Sequence, residues 1–73
     1  MEFFFIITLL YPAYSGMAYF TRKGTVTAKP GETRQDLFNK ILASVHSSVD
    51  EPGIRQANVV FFSLEANELL VTV

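Results

Sequence analysis

The chain contains no cysteine and no tryptophan, and it has a single histidine. Without cysteine there is no disulfide framework, so a domain of 73 residues must be held together by packing or by association with another chain. One histidine without cysteine leaves too few nitrogen and sulfur ligands for a transition-metal site. We therefore expect neither a metal nor another cofactor, and the lack of cysteine fits a cytoplasmic protein.

Charged residues are also scarce, at 18% of the chain. Six Lys and Arg nearly balance seven Asp and Glu, so the net charge is −1. Such a balance does not favour a nucleic-acid surface. Arg22, Lys23 and Lys29, interleaved with Tyr19 and Phe20, could still form a stacking platform for single-stranded nucleic acid. Three cations on an acidic protein are more typical of a solvated strand edge. A nucleic-acid-associated accessory protein is therefore the alternative function.

Long apolar stretches are confined to the first ten residues. This run is too short to span a bilayer, and Glu2 stands where a signal peptide carries positive charge, so we expect a strand and no membrane partner. Side chains alternate between the two faces of a strand. One face of residues 3–10 would carry Phe3, Phe5, Ile7 and Leu9. The other would carry Phe4, Ile6 and Leu10 together with Glu2 and Thr8, and these polar residues mark it as the outer face.

The clearest helix signal begins at Thr33, which can cap the amide of Asp36 while Asp36 reaches back, as in a capping box. Five apolar residues then recur on one stripe of a 3.6-residue period: Leu37, Phe38, Ile41, Leu42 and Val45. A helix of this kind has one apolar face and needs a sheet to cover it.

The remaining segments predict further strands. Pro12 favours a loop over residues 11–16, because proline cannot donate to a strand ladder. Residues 17–29 form either one strand bent at Gly24 or a hairpin, and we favour one bent strand antiparallel to residues 3–10. Residues 58–64 are a third strand, 65–68 a turn and 69–73 a fourth strand. The prediction is a single α+β domain over residues 1–73 in the order ββαββ, with one helix on a mixed four-stranded sheet.

Residues 25–33 resemble the second strand, proline turn and threonine helix cap of the ubiquitin-like β-grasp family. Leu37 and Ile41 are similarly placed to the core helix positions of that family, and residues 58–64 to its strand after the helix. The resemblance implies a β-grasp fold. It does not imply a carrier role unless the full-length protein extends past Val73, because such a role needs the family's Gly-Gly tail. Residues 31–38 and 61–65 also look like parts of small actinobacterial proteins, which implies a bacterial source and no particular function.

His46 is followed closely by Ser47, Ser48 and Asp50, which together contain the residue types of a catalytic triad. A triad needs groups that converge from separate elements around a pocket, whereas these are neighbours at one helix end. We interpret them as capping and as compensation of the helix dipole. The chain is therefore expected not to be an enzyme.

The outer face of the sheet remains as the candidate surface. We expect a small non-catalytic protein-interaction module that forms a homodimer through this face. The tyrosines near the first loop either cover the end of the core or form a contact patch. The candidate interaction residues are Phe4, Ile6, Leu10, Tyr11, Tyr14, Tyr19 and Phe61.

Overall fold

The structure is a computed structural model and describes residues 1–69. Its elements are the strand β1 (Glu2–Ala13), the strand β2 (Gly16–Thr27), the helix α1 (Arg34–Ser48), a 3₁₀ turn (Ile54–Gln56) and the strand β3 (Asn58–Ala66). The strand order in the sheet is β2-β1-β3, and β1 pairs with both neighbours in antiparallel fashion. The first strand of the chain is thus the central one.

The prediction of a mixed four-stranded sheet of β-grasp type in the order ββαββ is wrong. Within residues 1–69 the sheet has three strands, all antiparallel. The helix of 15 residues spans about 22 Å at about 1.5 Å per residue, so it carries the chain from the end of β2 back along the sheet. Consequently β3 runs in the same direction as β2, on the other side of β1, and cannot be parallel to β1.

The α+β class itself is confirmed. The predicted turn at 65–68 begins too early, since β3 continues to Ala66. The predicted fourth strand over 69–73 lies, apart from Leu69, outside the described residues.

The predicted loop over residues 11–16 is wrong as well, because β1 continues to Ala13 and only Tyr14 and Ser15 connect it to β2. Pro12 is tolerated because β3 begins opposite Leu10, so no strand lies beside Pro12 on that side. Gly53 approaches instead: a Cβ there would overlap the Pro12 carbonyl oxygen. The long hairpin is therefore tied to the segment that follows α1.

Residues 16–27 form one strand rather than a hairpin, and their pairing with β1 shows no shift at Gly24. This confirms a single strand, whereas the interruption predicted at Gly24 is wrong. A Cβ at Gly24 would lie 3.4 Å from the ring of Phe5, so the glycine leaves room for that aromatic side chain rather than bending the strand.

The predicted start of α1 is confirmed in detail. The Thr33 side chain accepts a hydrogen bond of 3.1 Å from the Asp36 amide, and the Asp36 carboxylate accepts one of 2.9 Å from the Thr33 amide. This reciprocal pair satisfies two backbone donors that the first helical turn leaves free. The cap fixes where the apolar stripe of α1 begins, and so how the helix lies on the sheet.

The core lies between α1 and one face of the sheet, as predicted for Phe5, Ile7, Leu37 and Ile41. Phe62 is partly buried beside them, and its ring meets that of Phe38 edge-on at 4.9 Å. The buried residues are Phe5, Ile7, Leu9, Tyr11, Leu37, Ile41, Val45, Ile54 and Leu64. Among residues 1–69, no helix is both long enough and apolar enough to cross a membrane.

Candidate interaction surface

The sheet has a second face, opposite α1, which we call the open face. The odd-numbered residues of β1 point into the core, so its even-numbered residues belong to the open face. Their partners on β2 and β3 follow from the register: Tyr19 lies beside Leu10, and Phe61 lies beside Thr8. No helix or strand of residues 1–69 covers this face.

Five of the seven predicted interaction residues come together there: Phe4, Ile6, Leu10, Tyr19 and Phe61. Tyr19 keeps 72% of its surface exposed, Phe61 52% and Phe4 36%, while Ile6 and Leu10 on the central strand are partly exposed. Large apolar side chains of three neighbouring strands thus form an apolar patch on the open face.

The other two predicted residues lie elsewhere. Tyr11 is buried in the core on the helix side, because β1 continues past the point where a loop was predicted. Tyr14 is fully exposed at the tip of the hairpin. The structure therefore separates the three tyrosines: Tyr11 covers the end of the core, and only Tyr19 belongs to the open face.

Sequence reasoning missed Met17, which lies beside Pro12 and is 59% exposed. The signal was present, because Met17 and Tyr19 are two residues apart on one strand and must share a face. A strand that ends before Pro12 leaves Met17 without a partner strand, so the sequence alone did not identify it.

Two hydroxyls interrupt the apolar patch near its middle. Thr8 and Thr21 lie opposite each other, and their Oγ1 atoms are 2.9 Å apart, a hydrogen-bonding distance. One hydroxyl donates to the other, so burying this row against an apolar partner would leave one O–H group without an acceptor instead of two.

The cations proposed for a stacking platform do not share one surface. Arg22 lies on the helix side, where its guanidinium carbon is 5.3 Å from the centre of the Phe20 ring and its Nη1 donates to Ser48 Oγ at 2.6 Å. Lys23 belongs to the open face beside Ile6, and Lys29 lies beyond the end of β2. A stripe of positive charge for a phosphate backbone is not formed by these three residues.

The residues around His46 line a shallow cleft at the end of α1. Both hydroxyls there have structural partners: Ser47 Oγ donates to the Ser44 carbonyl at 3.1 Å, and Ser48 Oγ accepts from Arg22. Among the described residues no group of three or more His, Cys, Asp or Glu is placed to hold a metal ion. The hydroxyls serve the helix end and its contact with β2.

A tight turn connects β2 to α1. The Glu32 amide donates to the Lys29 carbonyl at 3.0 Å, and Gly31 has a φ of +88° at the third position, as in a type II turn with proline second. The Glu32 carboxylate accepts from the Lys29 amide at 2.7 Å and from Lys40 Nζ at 3.1 Å. These two donors, the backbone amide first, lower the pKa of Glu32 from its usual 4.5.

Comparison of the chain with protein-family models, curated proteins and solved structures found no match. The resemblances to ubiquitin-like and actinobacterial proteins therefore stay predictions.

Proposed function

We propose that this chain is a small non-catalytic protein-interaction module that associates with a second copy of itself through the open face. The observation that carries the proposal is the exposure of Phe4, Tyr19 and Phe61 on a sheet face without a covering helix. Exposed apolar patches on a protein surface often mark protein–protein contacts. From composition alone, we also place the protein in the cytoplasm.

The arrangement of side chains favours a second copy as the partner. The residues Thr21, Thr8 and Phe61 form a row across the three strands, and apolar residues lie on both sides of it. On β1, Ile6 precedes Thr8 by two residues and Leu10 follows it by two residues, both on the open face. A two-fold axis along this row sets Ile6 against Leu10 of the partner and Phe61 against its own counterpart. Apolar groups then meet apolar groups, as an isologous interface requires.

The charges of the open face are compatible with the same axis. Lys23 and Tyr19 lie two residues to either side of Thr21 on β2, so the axis places each lysine over a tyrosine ring of the other copy. A cation over an aromatic face is attractive. Glu65 lies beside Phe4, far from the row and near the end of the sheet, so the two copies of this carboxylate stay apart.

Sedimentation of the parent and of a Phe4→Lys, Phe61→Lys variant tests the proposal. We expect the parent to associate and the variant to lose half of the assembled mass, because two ammonium groups would have to be buried in an apolar contact. The control is Gln35→Lys, Asn39→Lys, which adds the same charge to exposed positions of α1. A parent that is monomeric at high micromolar concentration, or a control that dissociates equally, would contradict the proposal.

A further inference from the structure

The outer edge of β2 presents a row of backbone groups whose direction the hydrogen bonds define. Ala28 and Met1 exchange two hydrogen bonds, from the Ala28 amide at 2.8 Å and from the Met1 amine at 3.3 Å. Because bonded and non-bonded pairs alternate in an antiparallel ladder, the even-numbered residues of β2 bond to β1. The odd-numbered residues, from Met17 to Thr27, turn their N–H and C=O groups outward.

Thr27 supports this assignment, since its carbonyl accepts from Lys40 Nζ at 3.4 Å, outside the sheet ladder. For the rest of β2, no hydrogen bond to an outward backbone group is found among the described residues. The edge is also regular: β2 has 12 residues, no proline and no shift in register. In contrast, the pairing of β3 is interrupted by a bulge opposite Thr8 and Leu9, a usual protection of edge strands.

We propose that two copies of this chain pair through the outer edges of β2, antiparallel and centred on Thr21, to form a continuous six-stranded sheet. Gly16 to Val26 of one copy would lie beside Val26 to Gly16 of the other. This register leaves Thr27 with Lys40 and uses the free backbone groups of the odd-numbered residues. These backbone groups take no part in the open-face contact, so either association can exist without the other.

The cations of β2 select this register. The outward N–H and C=O groups form hydrogen bonds only in registers that place odd-numbered residues opposite odd-numbered residues. The two-fold axis of the pair must therefore pass through a residue and not between two residues. Centring on Arg22 or Lys23 would place two like charges directly opposite, which is destabilising. Centring on Phe20 would shorten the paired segment.

With Thr21 at the centre, the opposite pairs become favourable. Arg22 lies beside Phe20 of the other copy, which continues the stacking that Arg22 already makes with its own Phe20. Lys23 lies beside Tyr19 in the same way. Charged residues commonly protect an edge from pairing; here they exclude the neighbouring registers.

Edge pairing would also enlarge the open face. The strands β1 and β2 have 12 residues and β3 has 9. At about 4.8 Å between strands and about 3.3 Å per residue, the face presents roughly 520 Å², less than the roughly 800 Å² that each partner contributes to a standard interface. Six strands present twice as much. Both two-fold axes pass through the row of Thr21, so two edge-paired dimers can stack into a closed assembly of four copies.

Thr21→Pro tests the edge directly, with Thr21→Val as the matched control. The Thr21 amide points outward, so proline removes a donor to the other copy and none to β1, whereas valine removes only the side-chain hydroxyl. We expect sedimentation to show half of the parent mass for Thr21→Pro and the full mass for Thr21→Val. The step is from four copies to two if the open face also associates, and from two to one if it does not.

Cysteine substitution provides a second test, because the chain has no cysteine of its own. In the proposed register two Thr21 residues have Cα atoms about 5.5 Å apart, within the range of a disulfide. Two Thr25 residues lie about 27 Å apart. Mild oxidation should convert Thr21→Cys to a covalent dimer and leave Thr25→Cys unlinked.

Three results would overturn the edge pairing: a monomeric parent, equal masses for Thr21→Pro and Thr21→Val, or equal cross-linking of Thr21→Cys and Thr25→Cys. The last two leave the open-face proposal standing if Phe4→Lys, Phe61→Lys still halves the mass. Stacked faces alone do not explain a Thr21 disulfide, since packed sheets are about 10 Å apart.

Discussion

Both faces of β1 carry large apolar side chains, but their surroundings are opposite. Ile7 and Leu9 are fully buried under α1, whereas Ile6 and Leu10, their immediate neighbours in sequence, are partly exposed on the open face. Hydrophobicity alone therefore does not determine which face of a central strand is covered within the chain. The few polar residues do so, because Glu2 and Thr8 lie on the face that the helix leaves open.

The largest expected contrast is between adjacent isoleucines. Ile7→Ala should lower the free energy of unfolding by about 2–5 kcal/mol, because it leaves a cavity in a packed core. Ile6→Ala removes the same atoms from the open face and should cost much less at dilutions where copies do not associate. Denaturant midpoints of both variants, measured at low protein concentration, check this prediction.

The costs of Ile6→Ala and Ile7→Ala should also depend differently on protein concentration. If the open face associates, the cost of Ile6→Ala grows as the protein becomes more concentrated, because binding stabilises the folded state by mass action. The cost of Ile7→Ala should not grow in this way. Equal costs for the two variants at low concentration would contradict the assignment of the covered face.

A smaller effect is expected at the start of α1, the element that makes the two faces different. Thr33→Ala should lower the free energy of unfolding by about 1 kcal/mol, because the Asp36 amide loses its acceptor. Thr33→Asn is the control, since asparagine also caps helices well. Chemical denaturation of the three proteins measures the difference, and an unchanged midpoint for Thr33→Ala would show that the cap does not stabilise the helix.

The smallest effect concerns Glu32, which ties the turn after β2 to α1. Its pKa is lowered in the folded chain, so its carboxylate stabilises the fold above the ordinary pKa of 4.5, and this contribution disappears as the pH falls through the lowered value. We expect the stability difference between the parent and Glu32→Gln to be present at neutral pH and to vanish in acid. A difference that persists unchanged at low pH would contradict this origin.

The helix and the covered face could be predicted from the sequence because their signals are local. Thr33 and Asp36 define the cap, and the spacing of Leu37, Ile41 and Val45 defines one buried stripe. The alternation in β1 then identifies which side meets that stripe. Each of these inferences needs only residues within a few positions of one another.

The errors came from groups that are distant in sequence. Pro12 was interpreted as the end of β1, but whether proline breaks a strand depends on which side its nitrogen faces and on where β3 begins. That mistake also placed Tyr11 in a surface patch although it is buried. The prediction of a mixed sheet was wrong because the element order alone does not define the direction of β3. That direction depends on the helix returning the chain to the start of β2, on the other side of β1.

The central position of β1 has a consequence for synthesis on the ribosome. Phe3 pairs with Ala66, and the Asn67 amide donates to the Glu2 carbonyl at 3.0 Å, so β1 is synthesised well before β3, the strand with which it pairs. During this interval its apolar side chains have only the hairpin partner β2, because α1 and β3 are still being made. Nascent chains with such exposed segments are prone to aggregation. Pairing with β2, through the short connection Tyr14–Ser15, is then the first contact that reduces the exposure of the apolar side chains of residues 3–10 before α1 folds onto them.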